Sequence, residues 1–332
     1  MRYNLHKLTL LIFLILLIQS CITTKNIVNY QKTSVPEEGG IQFTQFTQED
    51  ENVAHPLVVQ DPVTGILQWY AAPLLALSPD GNQLAYIAES NNFKNLYLKE
   101  IIGGNKKIQR TFNRNIDDMT YSPDGKNIAF TENTGSTTNI NMINATEGAA
   151  ITQITATSKT ELGPHFSPDG KSIFYSVENN GRYYVWNVTL ESSIKTQYSE
   201  GFTPVLTPDG ENLLITRNNK NTGFGEIWMI NLKKGTETQI LSNNKKGFSS
   251  PAISPDGETI LCVGVTPGSE TRTQNLDIYT VRIDGTKLTQ LTFHGGNDVS
   301  PIWSPDGQFI YFLAQRANEE GRFNVWRMNY KK

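Results

Sequence analysis

The chain has 332 residues, 29 of them lysine or arginine against 32 aspartates and glutamates, for a formal charge of −3 and an apolar share of 38%. That balance offers no basic footprint for nucleic acid, and two cysteines cannot build a disulfide framework. The length suits one large domain if the fold is all-β.

At the N-terminus Arg2 and Lys7 precede an apolar stretch from Leu8 to Ile18. It is too short to span a bilayer and has the length of a signal-peptide core. Cys21 follows at once, and "IQSC" resembles the lipobox of bacterial lipoproteins, whose cysteine is lipidated after cleavage. The resemblance implies a signal peptide over residues 1 to 20, lipidation at Cys21, and a membrane association made through the lipid alone. Ordinary secretion with a chance cysteine is the alternative. Ile22 stands where an aspartate would retain such a protein at the inner membrane of enteric bacteria. This points to an outer-membrane lipoprotein facing the periplasm or the cell surface. Without Arg2 and Lys7 the chain keeps 27 basic against 32 acidic residues, so its charge becomes more negative. Residues 21 to 40 lack a sustained hydrophobic period, end in Pro and Gly, and read as a flexible tether. Cys262, in the run "TILCVGV", reads as a small buried apolar side chain.

Beyond the tether, "SPDG" occurs at 78, 122, 167, 254 and 304, with "TPDG" at 207, at spacings of 44, 45, 40, 47 and 50 residues. This is the period of a four-stranded unit rather than of a helical repeat. Proline presets the first corner, aspartate bonds its own backbone, and glycine takes the left-handed position, so each copy predicts a hairpin turn. A phosphate-loop reading of "DGKS" at 169 to 172 fails, because His165 stands where the first glycine belongs. Each repeat parses as four short strands; in the fifth these are "SPAIS", "TILCVGV", "NLDIYTVRI" and "KLTQLT". The sixth ends after "RFNVWRMNY" without a fourth strand. "IQFTQFT" at 41 to 47 has the form of the fourth strands "AAITQIT" and "TKLTQLT", and is expected to complete the sixth unit. The fold class is therefore all-β: a six-bladed β-propeller of four-stranded blades over residues 41 to 332, closed three plus one by an N-terminal strand.

These motifs resemble the repeats of the TolB-like, WD40-like (PD40) propeller family, whose hallmark is an aromatic or apolar residue before Ser-Pro-Asp-Gly; "PIWSPDG" at 301 to 307 matches closely. The resemblance implies the fold and, more loosely, a partner-binding channel mouth, since one scaffold hosts many functions. The α/β domain that precedes the propeller in TolB has no counterpart in the residues between Cys21 and the closing strand.

If each blade's first strand lines the channel, the "SPDG" turns share one face, and the longer segments 48 to 70, 217 to 225, 264 to 275 and 314 to 322 share the other. Function concentrates in such variable loops, so the loop-rich face is the expected binding face. Just before the channel strands at its mouth stand Asp117, Asp118, Glu161, His165, Phe202, Phe248, Asn297 and Asp298. Acidic and aromatic groups together suit a protein or peptide, or a polar ligand such as a sugar; merely capping a hydrated channel is the other role open to each.

Serine-peptidase relatives of this family carry a hydrolase domain, but no G-x-S-x-G occurs here, and the S-x-x-K matches at Ser192 and Ser242 fall in polar, turn-like or strand-edge sequence. His55, His165 and His294 lack ligand spacing for the histidine-rich metal centre of the related oligogalacturonate lyases. The expected function is a non-catalytic, lipid-anchored propeller, monomeric and without cofactor or metal, that binds an envelope protein or peptide. The alternative is a carbohydrate-active or other hydrolase or lyase using the mouth carboxylates, with or without His165.

Overall fold

The computed structural model describes residues 37–38, 40–47, 51–60, 67–70, 73–102, 107–146, 148, 150–267, 274–316 and 321–331. The signal peptide expected over 1 to 20, Cys21 and most of the tether lie outside them. Among the described residues no helix is long and apolar enough to cross a membrane.

Six antiparallel four-stranded sheets follow one another along the chain, the last one completed by the N-terminal strand. Blade one comprises Leu75–Leu77, Gln83–Ser90, Phe93–Glu100 and Lys107–Gln109, and blade two Ile116–Tyr121, Asn127–Asn133, Thr138–Asn144 and Ile151–Gln153. Blade three comprises Glu161–Phe166, Ser172–Asn179, Arg182–Thr189 and Lys195–Glu200, and blade four Phe202–Leu206, Asn212–Asn218, Gly225–Asn231 and Glu237–Leu241. Blade five comprises Gly247–Ile253, Thr259–Thr266, Asn275–Arg282 and Thr289–Gln290. Blade six takes Asp298–Trp303, Phe309–Ala314 and Asn324–Asn329, and Ile41–Gln45 is its fourth strand. Successive first strands touch around the axis, and Asp298–Trp303 meets Leu75–Leu77 to close the ring.

The closing strand pairs Phe43 with Met328, Thr44 with Arg327 and Gln45 with Trp326, as its likeness to the other fourth strands predicts. Phe43 is buried against Phe312, with ring centroids 6.1 Å apart. A short fifth strand, Glu37–Glu38, adds to its outer side, which the repeat did not forecast. Beyond the closing strand, the buried Glu51 accepts from Lys99 Nζ at 2.6 Å and from the Tyr86 hydroxyl, while Lys99 also donates to the Phe46 carbonyl at 3.1 Å. The N-terminal segment therefore fastens blade six to blade one.

Fourth strands are short because a side chain replaces a rung of the ladder. In blades one, two, five and six a buried threonine hydroxyl accepts the third-strand N–H: Leu96 to Thr111, Ile140 to Thr155 and Ile278 to Thr292 at 2.9 Å, and Val325 to Thr47 at 2.8 Å. In three of them a glutamine two residues earlier donates to the threonine carbonyl at 2.8 Å, namely Gln45, Gln109 and Gln290. The recurrent Gln-x-Thr is the physical content of the likeness among these strands.

The repeated tetrapeptide does more than turn the chain. In every copy the Ser or Thr hydroxyl donates to the aspartate at 2.5–2.6 Å, and the glycine N–H donates to the Ser or Thr carbonyl at 2.8–2.9 Å. Each glycine has a φ near +70° and seats on the motif proline of the preceding blade. A Cβ there would stand 3.3–3.8 Å from that proline's Cδ, all the way round to Gly81 on Pro305. The motif is thus also a contact between neighbouring blades, which explains its presence in all six. Gly125 is the tightest case, at 3.3 Å from Pro79, whereas Gly235 has a similar φ of +66° and nothing within 4 Å. Gly125→Ala is expected to lower stability by about 1–2 kcal/mol and Gly235→Ala by about 1 kcal/mol or less. Paired denaturation curves check the difference.

Candidate functional site

Each first strand runs from the loop-rich end toward its "SPDG" turn, and at the turn end the six of them enclose a cavity of about 330 Å³. A ring at one level of its wall is formed by Ala76, Thr120, His165, Val205, Ala252 and Ile302, one residue from each blade. Motif prolines such as Pro79, Pro208, Pro255 and Pro305 are exposed and form the rim. Aromatic residues just before the motif brace neighbouring blades. Trp303 Nε1 donates to the Ala252 carbonyl at 3.2 Å, and the Tyr121 hydroxyl to Gln83 Oε1 at 2.9 Å.

Four blades share a second proline, Pro164, Pro204, Pro251 and Pro301, deeper in the wall. The residue before it is left-handed: Gly163 at φ 65°, Thr203 at 50°, Ser250 at 55° and Ser300 at 52°. The first-to-second-strand register slips at the same points. This bulge turns successive side chains off simple alternation and aims the next ones at the lumen. In blade four the Thr203 hydroxyl meets Thr216 Oγ1 at 2.8 Å. Near the matching place in blades five and six, Ser249 and Val299 face Val263 and Leu313, and the buried hydroxyls of Ser250 and Ser300 have no partner among the described residues. Their left-handed backbone is held against strain by the pairing on either side.

Of the eight residues expected at the loop-rich mouth, His165 alone lines the cavity. Burial pushes its imidazole down to about 4, so it is neutral at ordinary pH. The carboxylates are buried and engaged in holding strands together. Asp117 accepts from Lys94 Nζ at 3.5 Å and Asn133 Nδ2 at 3.1 Å. Asp118 joins blades two and three, accepting from Thr131 Oγ1 at 2.6 Å and the Gly163 N–H at 2.7 Å. Glu161 accepts from the hydroxyls of Thr155 and Thr157. Asp298, fully buried, is paired with Arg316. Phe202 and Phe248 are buried edge-on to Tyr183 and Tyr279, with centroids 6.2 and 5.6 Å apart. Asn297 is half-buried and donates to Gln315 Oε1 at 2.9 Å. The residues expected to form an open polar mouth are thus distributed inside and between blades.

After Asn52 to Ala54 bond along the second strand of blade one, the chain leaves the sheet and forms a hairpin of Leu57–Gln60 with Leu67–Tyr70. Leu67–Tyr70 approaches Gly247–Ile253, the first strand of blade five. Among the described residues no group of three or more His, Cys, Asp and Glu is placed to hold a metal ion. His294 Nδ1 accepts the Gly296 N–H at 3.0 Å, His55 lies edge-on to Phe323, and Cys262 is buried in blade five.

Comparison with known proteins agrees with this architecture. The family model described as the TolB beta propeller domain (PD40) matches residues 66–263 and 221–332. The Tol-Pal system protein TolB of Francisella tularensis subsp. mediasiatica is 30% identical over 241 residues, 69% of this chain and 53% of that protein. The chain therefore spans about half the length of the curated relatives it matches. The crystal structure of TolB from Acinetobacter baumannii superposes with a TM-score of 0.60 at 19% identity, covering 76% of this chain and 64% of that one. A structure from Agrobacterium tumefaciens, also described as a TolB, gives 0.59 at 19% identity, covering 78% and 90%. At these identities the two structures establish the fold alone.

Proposed function

The chain belongs to the family of TolB β-propeller domains, and from that membership we propose a non-catalytic, lipid-anchored protein of the cell envelope that binds a protein or peptide partner through its central channel. The relatives' description as Tol-Pal system proteins supports a role among envelope proteins. The N-terminal sequence supports anchorage at Cys21 on the outer membrane. The single observation that carries the reading is the cavity at the turn end, to which all six blades contribute and whose wall is mostly apolar. Clefts of this size and lining bind by enclosing apolar groups, with a few polar atoms for orientation. The enzyme alternative asks for two ionisable groups around one bond. Of its candidates His165 lines the cavity, whereas Asp117, Asp118, Glu161 and Asp298 are not among its lining residues.

Ala76 and Ala252 are small members of the ring, so phenylalanine at both fills the lumen from two sides. Envelope proteins crosslinked to the wild-type chain in cells are expected to be lost from the Ala76→Phe/Ala252→Phe variant, which keeps its thermal transition. Equal recovery from both removes the channel from the account. Anchorage is checked separately: a fatty-acid probe is expected to label the wild type and not Cys21→Ser.

A further inference from the structure

The cavity differs sharply in character between wall and rim. Its ring of Ala76, Thr120, His165, Val205, Ala252 and Ile302 carries no formal charge at neutral pH, because the imidazole is held neutral. Each motif proline at the rim is followed by an exposed aspartate. The Ser or Thr hydroxyl and a backbone N–H hold Asp80, Asp209 and Asp306 below the usual carboxylate range, so they stay ionised. The residue after the motif glycine sets the local balance. It is Lys126 in blade two and Lys171 in blade three, but Glu211 in blade four, Glu258 in blade five, Gln308 in blade six and Asn82 in blade one. At the positions next to the channel four consecutive blades therefore present an acidic arc, and lysine follows the motif glycine only in the other two. Lys107, Lys233, Lys234, Lys287 and Lys331 stand at or between the ends of third and fourth strands, farther from the axis.

Resting on the channel-binding reading above, we infer that the partner segment seated in this cavity is an extended peptide in which an apolar side chain adjoins a lysine or arginine. The apolar group enters the lumen, and the cation meets the acidic arc over blades four, five, six and one. Complementary charge at a rim fixes register and speeds encounter, while the enclosed apolar group supplies most of the affinity.

The test uses a displayed library of random short peptides panned on the full chain in detergent, and counter-selected on the Ala76→Phe/Ala252→Phe variant. Ile302→Trp serves as a second filling variant should the first unfold. Recovered peptides are then titrated against Asp209→Asn/Asp256→Asn/Asp306→Asn. Asparagine keeps each turn, because its amide oxygen accepts the same hydroxyl and backbone N–H. Peptides pairing an apolar residue with Lys or Arg are expected to dominate, and to bind the triple variant about three- to tenfold more weakly at low salt, with the difference fading at high salt. Cavity-dependent peptides without such enrichment, or indifferent to the triple variant, overturn this inference and leave the channel reading standing. Recovery of no cavity-dependent peptide overturns the channel reading, and this inference with it.

Discussion

Replacing Asp298 by alanine is expected to lower the stability of the folded ring by about 3–5 kcal/mol, because it removes the carboxylate paired with a buried guanidinium. Arg316 is 6% exposed and Asp298 is 0% exposed. Nε of Arg316 donates to Asp298 Oδ1 at 3.0 Å, and Nη2 donates to the other carboxylate oxygen. The guanidinium also lies over the ring of Phe43 in the closing strand, 4.4 Å from its centroid, and over Phe312 at 5.6 Å. Loss of the carboxylate therefore disturbs the N-terminal strand as well as blade six. An Asp298→Ala/Arg316→Met double variant removes both charges and is expected to recover most of the loss, since a buried pair is worth far less than the penalty of breaking it. Chemical denaturation of the three proteins measures both effects. If the single variant is as stable as the wild type, Asp298 is not the structural group described here. The same burial means that weaker partner binding by Asp298→Ala would report on the fold and not on a docking surface.

The second large effect concerns pH. Burial lifts the carboxyl of Asp118 to about 7, against hydrogen bonds from Thr131 and the Gly163 N–H that favour the charged form; nearby Asp117 adds to the rise. A pKa raised in the folded state means that the native protein binds a proton more tightly than the unfolded chain. The contribution of this group to stability is then full below about pH 4 and is lost as pH rises through about 7. The loss attributable to this group is on the order of 2–4 kcal/mol. Asparagine fits the same site, accepting the Gly163 N–H through its amide oxygen and donating to Thr131 Oγ1. Asp118→Asn is therefore expected to show a shallower decline between pH 4 and pH 7 than the wild type. Glu161 is raised by burial too, so some decline remains in the variant. Parallel curves for the two proteins would remove Asp118 as the source.

The ring was legible because its cause is local and repeated. The turn residues sit at fixed offsets, and the Gln-x-Thr ending of the fourth strand recurs in "IQFTQFT", where it marked the closing strand correctly. What escaped was orientation. The mouth reading left Asp118 and Asp298 open to a partner, but Asp118 is tied to Thr131 and the Gly163 N–H and Asp298 to Arg316, and in blades three to six the left-handed residue before proline shifts the alternation of the first strand. The signal was present as "GPHF", "TPVL", "SPAI" and "SPIW", four small residues before proline at the same distance from the motif. Read as bulges, they direct His165, Val205, Ala252 and Ile302 inward. Face assignment failed to locate the cavity for a different reason: loop length says where the chain varies, and the variable segment before blade one forms a hairpin of Leu57–Gln60 with Leu67–Tyr70. Its two apolar runs were visible, but the approach of Leu67–Tyr70 to blade five is a long-range contact with no local signature.

The central claim is that a partner segment enters the channel from the turn end. Site-specific photocrosslinking in cells tests it most directly, with benzoylphenylalanine at Ile302 in the lumen and, in a second protein, at Phe112, which is 62% exposed between blades one and two at the loop-rich end. The account predicts a discrete adduct from position 302 and none from position 112. An adduct from position 112 with none from position 302 would contradict it.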